Sequence, residues 1–495
     1  TEFEAICRRE RCPYAVVGQT TAEGQLIVTD ERFGDRPVDM PVDVLLGKTP
    51  RMTRDVTRIA RNGVPLPGEV DLGDAARRVL SLPAVADKTF LITIGDRTVG
   101  GLTARDQMVG PWQVPVSDVA VTLSGHRGYT GEAMAMGERT PVAVLDPAAS
   151  GRLAIAEAIT NIAAAPITAL GQVRLSANWM AACGFDGEDA ALFDTVRAVG
   201  EALCPELGIA IPVGKDSLSM QTRWTEANGE EKRVIAPLSL IVSAFAPVAD
   251  ARRVLTPCLN REEPESELIL VDLGLGQCRM GGSALAQVYG CTGTTPPDLD
   301  DPALLKRFFA AVQILAGEGR ILAYHDRSDG GLFVTLAEMA FAGRAGFRVD
   351  IDPLHADTTR ALFSEELGAV LQVRGADRDR VLEVFAAGGL DACCHRIGTV
   401  TTDGECVFQR QDAPVFSGRR LDLHRVWSET TFRMQSLRDN PECAREEYDR
   451  LLDEDDPGLF ASVSFDPAED VAAPLIATGA RPRVAVLREQ GVNSH

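Results

Sequence analysis

Four side chains with oxygen donors, spread over three separated segments, could together hold a hard cation. Asp118 lies in PWQVPVSDVAV, Glu157 and Asn161 in LAIAEAITNIAAA, and Asp326 in ILAYHDRSDGG. The middle segment reads as a helix over 153–165, dominated by Ala and Ile and free of Pro and Gly. Residues four apart share a helix face, so Glu157 and Asn161 point the same way. Two more carboxylates beside expected strand ends make an arrangement suited to magnesium, which takes octahedral oxygen ligands and is usually shared with nucleotide phosphates. An E-x-x-x-N pair is more commonly a solvated helix face. Here the rest of the helix is almost wholly apolar, which makes a solvated face less natural.

Two turns could face an anion. In SDGG a strand ends in polar residues, a Gly pair follows, and a helix begins, so free backbone N–H groups are presented. Ser328 adds a hydroxyl there. The same turn reads equally well as purely structural. IPVGKDSLSM (211–220) places Lys215, Asp216 and Ser217 after a short strand, as a surface turn or a phosphate-facing loop. The Gly-rich stretch 95–110 has neither P-loop nor Rossmann spacing. His126 and His325 lie near these motifs, without a Cys or Ser partner at triad spacing.

Positioning these groups takes two mixed α/β units. In the first, strands are expected at 88–94, 116–122, 141–145 and 238–245, with helices at 151–165 and 188–204. The second opens with a strand at 268–271. It continues through helices at 283–289 and 302–317 and a strand at 321–324, then a helix at 332–341. A Pro-containing linker at 256–264 separates the two.

At 495 residues, with 45% hydrophobic and 24% charged residues, the chain has the composition of a globular protein of two to four domains. A net charge of -21 argues against a general nucleic-acid or membrane-surface binder. It leaves room for a phosphorylated substrate at a local metal-loaded site. The eleven cysteines form no C-x-x-C pair, which points to reduced thiols and a cytoplasmic setting. No membrane-length apolar run or signal peptide is present.

An internal repeat suggests that the chain opens inside a domain. Gly18 and Gly24 are six apart, as are Gly398 and Gly404, and each second glycine precedes an expected strand, 25–29 or 405–409. Further on, KTPRMTRD (48–55) matches ETTFRMQSLRD (429–439), with Arg51-Met52 against Arg433-Met434. At the far end, RVAVLREQGVNSH offers a strand at 484–487 and a turn, the expected start of another α/β domain.

The long motifs TARDQMVGPWQVPVSD, GEAMAMGERTPVA, EAITNIAAA, LSANWMAACG, IPVGKDSLSM, LAYHDRSDGGLFVTLAEMAFAG and RPRVAVLREQGVNSH resemble the large, single-chain form of phosphoribosylformylglycinamidine synthase, over essentially the whole chain. The resemblance implies an α/β (α+β) fold of aminoimidazole-ribonucleotide-synthetase-like N-terminal and C-terminal halves, truncated at both ends. It implies the end of a first synthetase repeat at 1–60 and a linker at 61–84. The N-terminal (nucleotide and metal) half of a second repeat follows at 85–255, and its C-terminal half at 265–425. A further linker occupies 426–481, and 482–495 would be the first strand of a class I glutaminase domain. The family's magnesium ligands match Asp118, Glu157, Asn161 and Asp326, and its nucleotide contacts match Ser117 (through backbone) and Ser328. No catalytic base is identified.

The activity so implied is ATP-dependent amidation of formylglycinamide ribonucleotide, with Mg2+ and ATP/ADP at the nucleotide site and ammonia derived from glutamine. ATP would phosphorylate the formyl amide oxygen, and ammonia would displace the phosphate. The partners would be these small molecules and the missing flanking domains of the same polypeptide, with no nucleic acid and no membrane. The chain by itself would be inactive. Two other readings stand beside this one. In one, the nucleotide site serves structure alone; in the other, the chain is a related ATP-dependent synthetase for aminoimidazole ribonucleotide or selenophosphate. The last two lack an appended glutaminase strand.

Overall fold

The computed structural model describes residues 1–48, 53–95, 97–476, 478–479, 481 and 483–485. Residues Thr1–Val56 form one compact unit and Thr57–His495 another. The expected pair Arg51-Met52 and the body of the 484–487 strand lie outside the described residues, and Val484 and Ala485 carry no strand.

The first unit holds a hairpin of β1 (Gln25–Asp30) and β2 (Asp35–Pro41), followed by a short helix, Val42–Leu46. The second unit contains a six-stranded sheet of β3 (Thr103–Arg105), β4 (Ala120–Leu123), β5 (Gly131–Glu138), β6 (Arg174–Met180), β7 (Ala210–Ser217) and β10 (Ser239–Val248). Its order is β3-β4-β5-β10-β6-β7. A small hairpin, β8 (Gln221–Thr225) with β9 (Glu231–Ile235), stands apart. A seven-stranded sheet follows, of β11 (Ser266–Asp272), β12 (Ile321–Asp326), β13 (Gly346–Asp350), β14 (Gly368–Arg374), β15 (Cys394–Thr401), β16 (Glu405–Arg410) and β17 (Ala413–Arg419). Its order is β12-β14-β11-β15-β13-β16-β17, antiparallel except for β13 beside β16. Five helices matter below: α1 (Pro147–Ile162), α2 (Pro302–Gly317), α3 (Gly331–Gly343), α4 (Arg420–Arg438) and α5 (Pro441–Arg450). The fold is mixed α/β, as expected.

Helix α1 starts four residues before the expected point. Asp146 caps it by accepting from the Ala149 N–H at 2.9 Å, and Pro147 supplies a fixed φ at the first helical position. Almost every side chain from Ala149 to Ile162 is buried, Glu157 included. The helix lies directly on β5, where a Cβ on Gly137 would stand 2.1 Å from the Ala154 carbonyl oxygen and 2.4 Å from the Ala158 nitrogen. Only glycine permits that approach. From the other sheet, the Tyr324 hydroxyl on β12 donates to the Thr160 carbonyl at 2.7 Å, tying the two halves together.

Several expected elements differ. Lys88–Ile94 reads as a strand, but Thr89–Ile92 is a helical turn. The buried Asp87 carboxylate accepts from the Thr89 amide (2.8 Å) and hydroxyl (2.6 Å), so a local cap overrides β propensity. The 141–145 strand is a 3₁₀ turn at Thr140–Val144, with Pro141 in its first turn. The true strand is β5, whose buried face is made of Gly and Ala, poor strand signals. The 116–122 strand shrinks to β4, and Lys215 and Asp216 lie on the exposed edge strand β7 rather than in a loop.

The repeat has a structural counterpart. Gly24 and Gly404 both have positive φ (64° and 72°), and each precedes a hairpin and a helix. The first helical N–H donates back to that glycine's carbonyl in both copies, from Val42 to Gly24 and from Arg420 to Gly404, each at 2.8 Å. The copies differ in cover. Cys406, Val407 and Phe408 are buried, while Leu26, Ile27 and Val28 are 40–45% exposed.

Two measurements test this packing. Gly137→Ala should lower stability by about 1–3 kcal/mol in urea denaturation, because the new methyl meets helix backbone that cannot swing away. An unchanged midpoint would contradict the contact. His424, buried and stacked on Phe341 at 4.6 Å, has its pKa pushed down to about 3 by burial and then by the charges of Arg420 and Arg344. A depressed pKa means that the unfolded chain takes the proton first. The stabilisation is therefore complete above about pH 6.5 and is lost as pH falls toward 3. Between pH 7 and 5 the wild type should lose about 2 kcal/mol more than His424→Phe; parallel pH profiles would contradict the assignment.

Candidate metal and nucleotide site

The SDGG turn leaves β12 and enters α3. Gly330 and Gly331 have φ of 80° and 65°, and a Cβ on Gly331 would stand 2.5 Å from the Ser364 carbonyl oxygen. Arg327 anchors the turn: it pairs with the buried Asp272 carboxylate and donates to the Glu366 carbonyl at 2.7 Å and the Leu367 carbonyl at 3.0 Å. These contacts fix where Asp326 and Ser328 point.

Around the turn the structure gathers carboxylates from distant parts of the chain. The Ser328 hydroxyl donates to Glu157 Oε1, across 171 residues of sequence. Glu157 Oε2 accepts from the Glu138 N–H at 2.6 Å. Asp118, whose side chain is about 1% exposed, places Oδ1 2.6 Å from His325 Nδ1. His325 Nε2 is 2.9 Å from Glu338 Oε2. Candidate ligand atoms of Asp118, His325 and Asp326 all lie within 4.8 Å of one another. Burial, and then the charges of Asp118 and Glu157, hold the Asp326 carboxyl well above the usual range. Glu157 is raised too, by burial first, against the opposing charge of Arg139.

Two oxygens decide what this arrangement can do. Asp118 Oδ2 and Asp326 Oδ2 are enclosed and have no hydrogen-bond partner among the described residues. A buried carboxylate oxygen without a donor costs free energy that a cation would recover. Two ligands of one octahedral magnesium ion lie about 3–4 Å apart, so the pair needs little movement to share an ion. The donor set therefore fits a hard divalent cation.

The remaining expected residues are placed less simply. Asn161 lies one turn beyond Glu157, but its amide donates to the Met136 carbonyl at 2.9 Å, and no hydrogen bond joins it to Asp118 or Asp326. The Ser117 N–H donates to the Gln107 carbonyl (3.2 Å) and its hydroxyl to the Val119 carbonyl (2.8 Å), so both its donors are engaged inside the chain.

Sequence reading missed three groups. His325 sits between Asp118 and Glu338, one on each ring nitrogen, and Arg139 is a buried cation of the site. Burial works against the charge of His325, but Asp118 and Glu338 outweigh it and hold the ring's pKa well above its ordinary value. Arg139 reaches Asp329 at 2.9 Å and Glu365 at 2.6 Å, and lies 4.0 Å from Glu157. Glu365 in turn accepts from the Gly330 N–H at 2.8 Å and the Ala284 N–H at 2.7 Å. The one available signal was the Arg in GERTP, next to a strand.

Two helix-covered α/β halves thus share a buried acidic site at a Gly-Gly turn. Residues 87–247 match the FGAR-AT PurM_N-like domain, and residues 263–411 match the C-terminal domain of AIR synthase related proteins. The chain belongs to the phosphoribosylformylglycinamidine synthase type. Among solved structures, it is similar to Thermotoga maritima PurL complexed with FGAR, at 13% identity and a TM-score of 0.53, over 72% of this chain and 54% of that one. Phosphoribosylformylglycinamidine synthase II from the same organism aligns at 14% identity and a TM-score of 0.49, over 70% of this chain and 51% of that one. The chain thus spans about half the length of the structures it matches.

Arg139 supplies the sharpest test of this geometry. Arg139→Met strands Glu365 and Glu157 without their cation and should cost about 3–5 kcal/mol in denaturant unfolding. A loss below about 1 kcal/mol would show that solvent or other groups already neutralise the cluster.

Proposed function

We propose that this chain carries part of the synthetase core, with the magnesium-nucleotide site, for ATP-dependent amidation of formylglycinamide ribonucleotide to formylglycinamidine ribonucleotide. The observation that carries this reading is the pair of buried, unpartnered oxygens on Asp118 and Asp326 beside the Ser328–Glu157 contact. The family supports the substrate, as does the FGAR bound to the Thermotoga relative. Glutamine-derived ammonia as nitrogen donor, and flanking domains that deliver it, belong to the same proposal. The eleven cysteines form no disulfide among the described residues, which accords with a cytoplasmic protein, and no helix among those residues is long and apolar enough to cross a membrane.

Asp118, Asp326 and Glu157 would hold Mg2+, with Asn161 reaching it after release from Met136. The bound ion would offset phosphate charge while the γ-phosphoryl group moves to the formyl amide oxygen. The chain's own groups prepare that site. Ser328 orients Glu157, His325 fixes the direction of Asp118, and Arg139 holds the Gly-Gly turn through Asp329 and Glu365. Gly330 and Gly331 let the turn pass close against the Ser364 carbonyl, which seats Asp326 and Ser328 beside the cluster.

Calorimetric titration with Mg2+ and ATP tests this reading. Glu157→Ala and Asp326→Ala should each weaken binding about tenfold or more, since each removes a charged ligand. Asn161→Ala should weaken it less, because a neutral amide offsets no charge. Wild-type affinity in both carboxylate variants would overturn the assignment.

A further inference from the structure

Helix α3 is buried along its whole length except at Glu338, its single charged residue. A carboxylate on so apolar a helix costs free energy unless a partner holds it. The side chain, 16% exposed, ends on His325: Oε2 is 2.9 Å from Nε2, while Nδ1 of the same ring is 2.6 Å from Asp118 Oδ1. Glu338 lies outside the group of ligand atoms that converge from Asp118, His325 and Asp326. It meets that group through the ring.

The ring has little freedom left. The backbone of His325 is fixed in β12, where it stands opposite Val370 of β14. What remains is rotation of the side chain, and a carboxylate on each nitrogen opposes it. Outer partners of this kind orient the groups that bind a metal. The consequence falls on Asp118. Its Oδ1 is taken by the ring, so Oδ2, enclosed and without a partner among the described residues, is the oxygen left to a cation. Glu157 is restrained in the same sense, since the Ser328 hydroxyl holds Oε1 and the Glu138 N–H holds Oε2.

Carboxylates limited to one free oxygen suit some ions better than others. Magnesium takes about six ligands in near-octahedral geometry, at about 2.0–2.1 Å. Calcium takes about six to eight, at about 2.3–2.6 Å, and often uses both oxygens of a carboxylate to reach that number.

Resting on the magnesium-nucleotide reading above, we infer that Glu338 is a specificity-determining residue: through His325 it keeps Asp118 a one-oxygen ligand, and so makes the site favour magnesium over calcium. Released from Glu338, the ring turns away, Oδ1 becomes free, and Asp118 can close on a larger ion with both oxygens. Glu338 is therefore a positioning residue, acting on the ion only through its neighbours.

Calorimetric titration of the chain with preformed Mg–ATP and Ca–ATP tests the inference, the readout being the ratio of the two dissociation constants. Glu338→Leu removes the carboxylate and suits the apolar helix; it should weaken Mg–ATP binding about tenfold. Ca–ATP binding should weaken by less than about threefold, so the preference for magnesium narrows by about threefold or more. His325→Ala frees Oδ1 directly and should narrow the ratio at least as much. Glu338→Gln keeps an acceptor for the ring and should hold the ratio within about twofold of wild type. A general loosening of the fold weakens both complexes alike and leaves the ratio where it was. An unchanged ratio in Glu338→Leu and His325→Ala would therefore overturn the inference, as would a Glu338→Gln ratio equal to that of Glu338→Leu. Asp326→Ala, titrated alongside, separates the two levels of the argument. If it binds Mg–ATP like the wild type, the magnesium reading itself fails; if it loses binding while Glu338→Leu keeps the wild-type ratio, only the role of Glu338 fails.

Discussion

Carboxylates taken out of water without enough cations are the constraint on which the site depends. Asp118, Glu157 and Asp326 are enclosed where a strand of one sheet meets the helix covering the other. Each raises the electrostatic cost of its neighbours, and the charges of Arg139 and His325 stand against them. Such a cluster is tolerable when hydrogen bonds hold some oxygens and a bound cation takes the rest. Glu157 is satisfied by Ser328 and the Glu138 amide. Asp118 and Asp326 each keep one oxygen in reserve. The division separates a group that joins the two halves from groups that await charge.

That requirement reaches back into the fold. Glu157 can meet Ser328 only if α1 lies close on β5 and also touches β12. Gly137 allows the first contact, and the Tyr324–Thr160 bond marks the second. Gly330 and Gly331 let the chain turn sharply enough to bring Ser328 toward α1 while Arg327 stays buried on Asp272. Backbone without side chains is thus concentrated where charged groups must converge.

Ligand types were legible in the sequence, whereas their partners were not. Helix periodicity put Glu157 and Asn161 on one face, and the strand–Gly-Gly–helix pattern marked Asp326 and Ser328. No spacing rule joins His325 to Asp118, 207 residues earlier, because the pair exists only through tertiary packing. Asn161 shares a face with Glu157, but half a turn of context decides more than periodicity does: its amide finds the Met136 carbonyl first. The misread strands have two causes. Where Asp87 caps a turn, or Pro141 starts one, a local hydrogen bond outweighs β propensity, and where β5 must pass under α1 the small residues needed for contact hide the strand.

The two unbalanced corners obey one rule with opposite signs. At the Gly-Gly turn, carboxylate oxygens lack donors; at the start of α4, guanidinium nitrogens lack acceptors. Neither imbalance follows from composition, since the chain's acidic excess would predict paired arginines everywhere. It does pair them elsewhere: Arg152 with Asp298, Arg279 with Glu366, and Arg327 with Asp272 are all internal ion pairs. The repeat sharpens the contrast, because the helix position that holds Arg420 holds uncharged Val42 in the first copy, with the same 2.8 Å backbone bond to a glycine. The backbone device therefore does not require a cation at that position. What distinguishes the second copy is the buried charge itself, which the shared backbone bond does not account for.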